Sequence, residues 1–249
     1  EYQATVRDGS TDTLGQGYWF CSIIGVECKG DEITPLCNRL WSQKDPNFES
    51  ENKEILSCVD QVAAHLEGRG IYVMDRGADR SRFYEAFLDR GLEFIVRLIG
   101  NRHLIYKKKT YLAEEVAQRC HLPYAQTVIK QAKSGGEKVY HLQYGVRQVS
   151  LPSFPKKRLW LVVVKGFGDK PLMILTSCPV RKNFKSITWI VDAYLTRWRI
   201  EDTIRFAKQS YQLEDIRLRG YKRLQNMMGI LLTAMSFAMT RLTTDTKLS

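Results

Sequence analysis

Motifs for zinc binding and for disulfide bonding are scarce in this chain of 249 residues. Its six cysteines include no C-x-x-C pair and it has only four histidines, so their spacing gives no zinc site. The cysteine spacing does not suggest a disulfide framework either, which fits a reducing cytoplasm. No signal peptide is present, and the most apolar run, 227–239, is short for a membrane span. We therefore expect no membrane partner, and we interpret 227–239 as a buried core helix.

Acidic residues are also in deficit. Asp and Glu total 27 against 38 Lys and Arg, which gives a net charge of +11 and a pI near 9.4. Such an excess attracts polyanions, of which nucleic acid is the commonest, although a merely basic soluble protein would look the same. Apolar residues make up 44% of the chain, enough to exclude a disordered protein and to form one large domain or a domain with an insertion.

The first third of the chain combines a hairpin pattern with a helical one. Residues 17–28 and 33–41 are rich in aromatic and β-branched residues and flank a turn signal at 29–31, which predicts an antiparallel hairpin. Apolar residues then recur at helical spacing from 50 to 66, and a Gly-Arg-Gly sequence follows. We predict a helix there.

A strand–helix–strand pattern follows the predicted helix. Residues 71–74 and 92–98 read as strands, and a helix near 82–88 lies between them, with Asp79 or Ser81 as its cap. This order favours a parallel βαβ unit, in which reactive groups lie at the carboxyl ends of the strands. Asp75 occupies such an end, although an ordinary loop or cap aspartate would look the same.

Residues 103–180 differ in pattern from the segments on either side. They contain the basic run 107–109, and helical periodicity is limited to 112–119. Strand patterns predominate, and they lie at 138–150, 158–165 and 171–177. The expected organisation is therefore a core segment at 1–102, a β-rich insertion at 103–180 and a helical core segment at 181–249.

Helical periodicity returns at about residue 186 and continues to about 209, and a last apolar helix is predicted over 224–242. On one continuous helix, four residues of the first segment would lie within a stripe of about 60°. They are Tyr194, Arg197, Glu201 and Lys208, bordered by Trp198 and Arg205. A solvated face with an i, i+4 ion pair explains part of this stripe. The excess of cations and the two aromatics also suit a track for phosphates and stacked bases.

Asp75 and Glu201 could act together, because a carboxylate at a strand end and another on a later helix can share divalent metal ions. Two such ions activate the attacking oxygen and stabilise the leaving one in phosphodiester chemistry. A site of this kind usually needs a third carboxylate.

These residues resemble a known family. The spacing Tyr194-x2-Arg197-x3-Glu201-x6-Lys208 matches the Y-x2-R-x3-E-x6-K signature of DDE transposases of the insertion-sequence-four group. Asp75, followed by an arginine, is similar to the second acidic position of that group. The separation of 126 positions between Asp75 and Glu201 is also similar to this group, in which a β-rich insertion separates the second and third acids.

The resemblance implies an α/β fold: a ribonuclease-H-like mixed sheet flanked by helices, with a β-rich insertion between the second and third catalytic acids. Asp75 and Glu201 would be catalytic ligands of Mg²⁺ or Mn²⁺, two ions per site. The implied DNA-binding residues are Tyr194, Arg197, Lys208, Arg205, Trp198 and Arg76. Their partner would be double-stranded DNA, both transposon ends and target.

The function implied by the resemblance is metal-dependent cleavage at transposon ends followed by strand transfer. A homodimer would assemble in the synaptic complex, in the bacterial cytoplasm and on the nucleoid. The first acid departs from the family pattern: we expect it upstream of Glu1, with Asp8 or Asp12 as weaker alternatives. The competing hypotheses are a truncated or domesticated transposase remnant that binds DNA without catalysis, and a structure-selective nuclease on the same fold.

Overall fold

The computed structural model describes residues 1–7, 13–27, 32–131, 137–213, 216, 218 and 220–245. The predicted turn at 29–31 and the residues Asp8 and Asp12 lie outside this part. Strands are β1 (Ala4–Arg7), β2 (Leu14–Gly17), β3 (Trp19–Val26), β4 (Ile33–Trp41), β5 (Ile71–Met74), β6 (Glu93–Arg97), β7 (His103–Tyr106), β8 (Lys109–Leu112), β9 (Tyr124–Gln131), β10 (Glu137–Leu151), β11 (Phe154–Lys165) and β12 (Leu172–Thr176). Helices are α1 (Glu51–His65), α2 (Ser81–Asp89), α3 (Ala113–Gln118), α4 (Phe184–Leu195), α5 (Trp198–Ser210) and α6 (Tyr221–Asp245).

The chain divides into two compact units, one formed by Glu1–Arg69 with Trp198–Ser249 and the other by Gly70–Arg197. In the first unit, β3 and β4 form the predicted antiparallel hairpin. The predicted helix at 50–66 is confirmed as α1, whose N-terminus is capped by the Ser50 hydroxyl accepting from the Lys53 N–H. Both α1 and α6 pack on β4.

Helix α6 buries only one of its faces. Met228, Leu231 and Met235 belong to a buried cluster, whereas Ile230 is 64% exposed and Phe237 is 65% exposed. The interpretation of 227–239 as a buried core helix therefore holds for one face only, because the hairpin covers a single side of the helix. Within the described residues, no helix has the length and apolar character needed to span a membrane.

The second unit is built on one mixed sheet. Its strand order in the described residues is β5-β6-β12-β11-β10-β7-β8, with β9 paired to β10. The pair β5–β6 is parallel, and every other described pairing in this sheet is antiparallel. The predicted βαβ unit is confirmed, and the molecule is a mixed α/β protein with a mostly antiparallel central sheet flanked by helices.

Strand β6 is covered on both faces, which is why its apolar run is continuous. Phe94, Ile95 and Val96 are all fully buried. Successive side chains point to opposite sides of a strand. Phe94 contacts the rings of Tyr84 and Phe87 on α2, whereas Ile95 belongs to the cluster that includes buried residues of α4. Burial of each such side chain contributes roughly 1.5–3 kcal/mol.

The β-rich segment at 103–180 extends this sheet and does not form a sheet of its own. Strand β12 pairs directly with β6, and β11, β10 and β7 follow in order. Strand β10 pairs antiparallel with β11 from Gln143 to Leu151, with one irregularity between Val149 and Leu151. The segment is thus continuous with the strands that carry Asp75.

The hairpin between β7 and β8 has an unusual turn. Tyr106 pairs with Lys109, so the loop consists of Lys107 and Lys108, whose φ angles are 49° and 65°. Two-residue hairpin loops with positive φ at both positions favour Asn-Gly, since glycine and asparagine tolerate the left-handed region. A lysine there is strained by about 1–3 kcal/mol.

The close approach of β10 to the segment after α3 depends on Gly145. A Cβ atom built on Gly145 would lie 2.3 Å from the carbonyl oxygen of His121. Replacing Gly145 by alanine should therefore destabilise the protein by about 1–3 kcal/mol, because backbone has to move to relieve the overlap. The midpoint of urea unfolding measures this loss.

Gly168→Ala is the matched control, because a Cβ atom at Gly168 would meet nothing within 4 Å. Its free energy of unfolding should change by less than about 0.5 kcal/mol. Equal stabilities for the two variants would contradict the proposed close approach at Gly145.

Candidate active site

Asp75 lies where the sequence places it, at the carboxyl end of the parallel strand β5. Its side chain is exposed, and its Oδ1 accepts a hydrogen bond of 2.8 Å from the Gly77 N–H. This bond caps a 3₁₀ turn formed by Arg76–Ala78. The backbone of the same loop thus orients the Asp75 carboxylate, while the carboxylate stays accessible to solvent.

Asp79 does not cap α2, and neither does Ser81; both predictions are wrong. The N-cap is Arg80, without a side-chain hydrogen bond, and α2 begins at Ser81. The Asp79 side chain is 1% exposed and pairs with Arg102, whose Nε lies 2.7 Å from Asp79 Oδ1. Buried carboxylates require such partners, since an unpaired buried charge is very costly.

Further donors complete this buried pair. Asp79 Oδ2 accepts from the Ile99 N–H at 2.9 Å, and the Tyr84 hydroxyl donates to Oδ1 at 3.1 Å. Arg102 also donates to the Asp79 carbonyl oxygen and to the Ser81 hydroxyl. Since Asp79 follows β5 and Ile99 follows β6, the network ties together the loops at the carboxyl ends of the two parallel strands. It thereby positions the loop that carries Asp75.

Tyr84 acts in this network as a donor only. Its burial and the negative charge of Asp79 raise the pKa of its hydroxyl well above the usual value. The Arg102 guanidinium lies 5.2 Å from the centre of the Tyr84 ring and partly offsets this rise. The hydroxyl therefore keeps its proton throughout the physiological range.

An open cavity of about 530 Å³ lies beside this network, lined among others by Arg102, His103, Asn101 and Ser153. The guanidinium of Arg102 is engaged by Asp79 and Ser81. The Asp79–Arg102 pair beside this cavity is thus already balanced, and the pair itself offers no uncompensated charge to a ligand.

The helix predicted over 186–209 is interrupted. Helix α4 ends at Leu195, α5 begins at Trp198, and a turn at Thr196 and Arg197 lies between them. The Thr196 hydroxyl donates to the Ala193 carbonyl oxygen at 2.6 Å, and the Arg197 N–H bonds to the Tyr194 carbonyl. Such local bonds compete with the α-helical pattern. The prediction of one stripe along a continuous helix is therefore wrong.

The residues of the predicted stripe lie in different settings. Tyr194 is 4% exposed and belongs to the core cluster of the second unit, whereas Trp198 is 57% exposed at the start of α5. Glu201, Arg205 and Lys208 still share one face of α5, within about 60°. Glu201 lies in the first turn and Lys208 in the last, which suits the helix dipole. Arg205 pairs with Asp202 at 2.9 Å, an exposed i, i+3 pair.

Asp75 supplies hard oxygen donors of the kind that Mg²⁺ and Mn²⁺ bind. In the described parts of the chain, however, no three His, Cys, Asp or Glu side chains are grouped closely enough to hold a metal ion. Asp75 therefore fits the role of one ligand, and the described residues do not form a complete ligand set.

Sequence reasoning missed the Asp79–Arg102 network. The two residues are 23 positions apart, and no periodic pattern links them. The one available signal was a second aspartate soon after Asp75, and it equally fitted a helix cap.

An exposed carboxylate at the carboxyl end of a parallel strand, in a mixed α/β unit, is an arrangement found in enzymes of many kinds. The family model of the transposase DDE domain matches residues 40–237, which include Asp75 and all of Tyr194 to Lys208. The match covers more than three quarters of the chain, and the chain belongs to this family. No curated protein matches it.

The buried pair can be tested by removing one partner. Asp79→Ala should lower the free energy of unfolding by about 3–5 kcal/mol, because it leaves the Arg102 charge buried without compensation. Chemical denaturation followed by fluorescence measures the loss.

Glu49→Ala serves as the control, since the pair of Glu49 with Lys53 is exposed and contributes about 0–1 kcal/mol. Tyr84→Phe should give an intermediate loss of about 0.5–1.5 kcal/mol, for one hydrogen bond. If Asp79→Ala were no more destabilising than Glu49→Ala, the positioning role of the network would be refuted.

Proposed function

We propose that this protein is a cut-and-paste transposase that cleaves DNA at transposon ends and joins the freed ends to target DNA. The observation that carries the proposal is the exposed carboxylate of Asp75 at the end of β5 in a chain that belongs to the DDE domain family. Members of this family are generally dependent on divalent metal ions.

Within the family, we assign the chain to the insertion-sequence-four group. The support is the spacing of Tyr194, Arg197, Glu201 and Lys208, which agrees at every position with the signature of that group. This assignment carries with it a ribonuclease-H-like core, for which the parallel pair β5–β6 and the helices on both faces of β6 are suitable parts.

Asp75 and Glu201 are the proposed catalytic acids, and both would hold Mg²⁺ or Mn²⁺. Ions held there would supply activation of the attacking oxygen and stabilisation of the leaving oxygen. The protein's own contribution is to hold the carboxylates in place: Asp75 through the Gly77 N–H and the Asp79 network, and Glu201 through the first turn of α5.

The proposed contacts to transposon ends come mainly from the segment Tyr194–Lys208. Arg197, Arg205 and Lys208 supply cations for phosphates, and the exposed ring of Trp198 offers a surface on which a base can stack. Arg76, exposed next to Asp75, is a further phosphate contact. Tyr194 is largely buried, so its contribution would be to support the helix end next to Arg197. We further propose a homodimer in the synaptic complex, in the bacterial cytoplasm.

Glu201→Gln and Asp75→Asn test the catalytic assignment in the complete protein. Each should lower the rate of nicking at transposon ends at least about 100-fold, since even the outer partners of metal ligands contribute 10–100-fold. Gel assays with Mg²⁺ and with Mn²⁺ measure the rate.

Asp89→Asn is the control, because Asp89 is an exposed carboxylate at the last position of α2. It should nick at the wild-type rate. Nicking by Glu201→Gln at that same rate would refute the catalytic role of Glu201.

Arg197→Ala tests the proposed end contact. It should weaken binding of a transposon-end duplex and reduce the slope of log K against log salt by about 0.9, the value for one phosphate. Fluorescence anisotropy at several salt concentrations measures both quantities.

Arg69→Ala is the comparison, since Arg69 is exposed and pairs only weakly with Glu67 at 3.7 Å. An unchanged slope in Arg197→Ala would show that this side chain neutralises no phosphate.

A further inference from the structure

The positive charge of the chain is concentrated in one segment. Residues 103–180 contain 13 Lys and Arg against four Asp and Glu, and so they carry nine of the eleven excess positive charges. No acidic residue occurs between 138 and 168. The motif around Glu201 does not account for this excess, because it lies outside the segment.

Among the described residues of this segment, only Lys107 and Lys108, in the turn between β7 and β8, are non-glycine residues with positive φ. Lys107 and Lys108 both have positive φ, and with Lys109 they are exposed. Within the described residues no ion pair involves any of the three lysines. The Lys107 ammonium lies 5.5 Å from the centre of the Tyr106 ring, and such an exposed contact contributes about 0.5–1 kcal/mol. This is less than the strain of two residues with positive φ, about 1–3 kcal/mol each. Strain that stability does not explain points to a functional use of the turn.

A second basic run lies next to this turn in the sheet. Ser150 of β10 pairs with Ile105 of β7 on one side. On the other side of β10, Val149 pairs with Leu159 and Leu151 pairs with Phe154 of β11. The four residues 155–158 of β11 therefore lie opposite the single residue Ser150. This stretch contains the exposed residues Lys156, Lys157 and Arg158.

The two runs are close enough to act as one surface. They flank a single strand, and neighbouring strands are about 4.8 Å apart, which puts the two flanking strands about 10 Å from each other. The turn lies two to three residues beyond Ile105, so the two runs are also offset along the strands by roughly 7–10 Å and lie on the order of 10–15 Å apart. The six cations, here called the basic surface, are Lys107, Lys108, Lys109, Lys156, Lys157 and Arg158. A polyanion with regularly spaced charges satisfies all of them, whereas a small anion cannot.

We propose that the basic surface binds the phosphate backbone of double-stranded DNA without regard to sequence, separately from the contacts made by the segment Tyr194–Lys208. The inference rests on the proposed function, which supplies duplex DNA as the substrate. Lys107 and Lys108 occupy a two-residue turn between paired strands, and the other four cations lie in β8 and β11. Short connections of this kind leave little loop ordering to be lost on binding.

The test is the double variant Lys107→Asn/Lys108→Gly. It removes two charges and installs the dipeptide that this turn favours, so stability and DNA binding should change in opposite directions. The melting temperature should rise by about 2–4 °C. Affinity for a duplex of unrelated sequence should fall at least about tenfold, and the slope of log K against log salt should decrease by about 1.8.

Three further variants separate charge from turn geometry. Lys107→Arg/Lys108→Arg keeps both charges and should retain the wild-type slope. Lys156→Gln/Lys157→Gln leaves the turn untouched and should lose about as much slope as the first variant. Lys165→Gln/Lys170→Gln removes one cation at the opposite end of β11 and one beyond it, and should leave the slope close to wild type.

The outcomes distinguish this inference from the function on which it rests. If the variants lose equal affinity for transposon-end and unrelated duplexes, the proposal that the basic surface binds DNA is supported. If they lose affinity for transposon ends alone, the proposal that this binding is independent of sequence is overturned. If Lys107→Asn/Lys108→Gly and Lys156→Gln/Lys157→Gln both keep the wild-type affinity and slope, the basic surface does not bind DNA. The proposed function is unaffected by that outcome. If the wild-type protein bound neither duplex, the proposed function itself would be overturned.

Discussion

The second unit depends on the pairing of β6 with two neighbours of opposite direction. On one side β5 runs parallel to it, with Met74 opposite Val96, and on the other side β12 runs antiparallel. The parallel pair places Asp75 at the strand end beside the end of β6, and the antiparallel pair attaches the β-rich segment. Because β6 is buried on both faces, neither neighbour can change register without exposing apolar side chains.

The network around Asp79 adds a second constraint at the same place. It uses one carboxylate to join the loops that follow β5 and β6, and its burial makes any loss of a partner costly. Asp75 differs in its setting: it is exposed, and within the described residues its carboxylate accepts from the Gly77 N–H alone. Of these two aspartates, four residues apart, Asp79 fixes the loop, and Asp75 remains accessible to a ligand or substrate.

Much of the fold was predictable from local pattern. The hairpin β3–β4, helix α1, and the strands β5 and β6 follow hydrophobic periodicity, and Ser50 and Gly68 mark the ends of α1. The break between α4 and α5 was not predictable, because apolar spacing continues across it. The bond of the Thr196 hydroxyl to a preceding carbonyl gives no warning, since Thr188 makes such a bond inside α4. The predicted cap of α2 was wrong because the Asp79 carboxylate pairs instead with Arg102, which is distant in the sequence.

The sequence by itself determined the excess of positive charge, the strand end that bears Asp75 and the spacing of the residues from Tyr194 to Lys208. These are local properties, and they do not depend on how the rest of the chain folds. Only the tertiary structure decided that Asp79 is buried against Arg102, that Tyr194 belongs to the core, and that the insertion continues the sheet of β5. Each of these results from contacts between residues far apart in the chain, where burial and pairing of charge outweigh local preference.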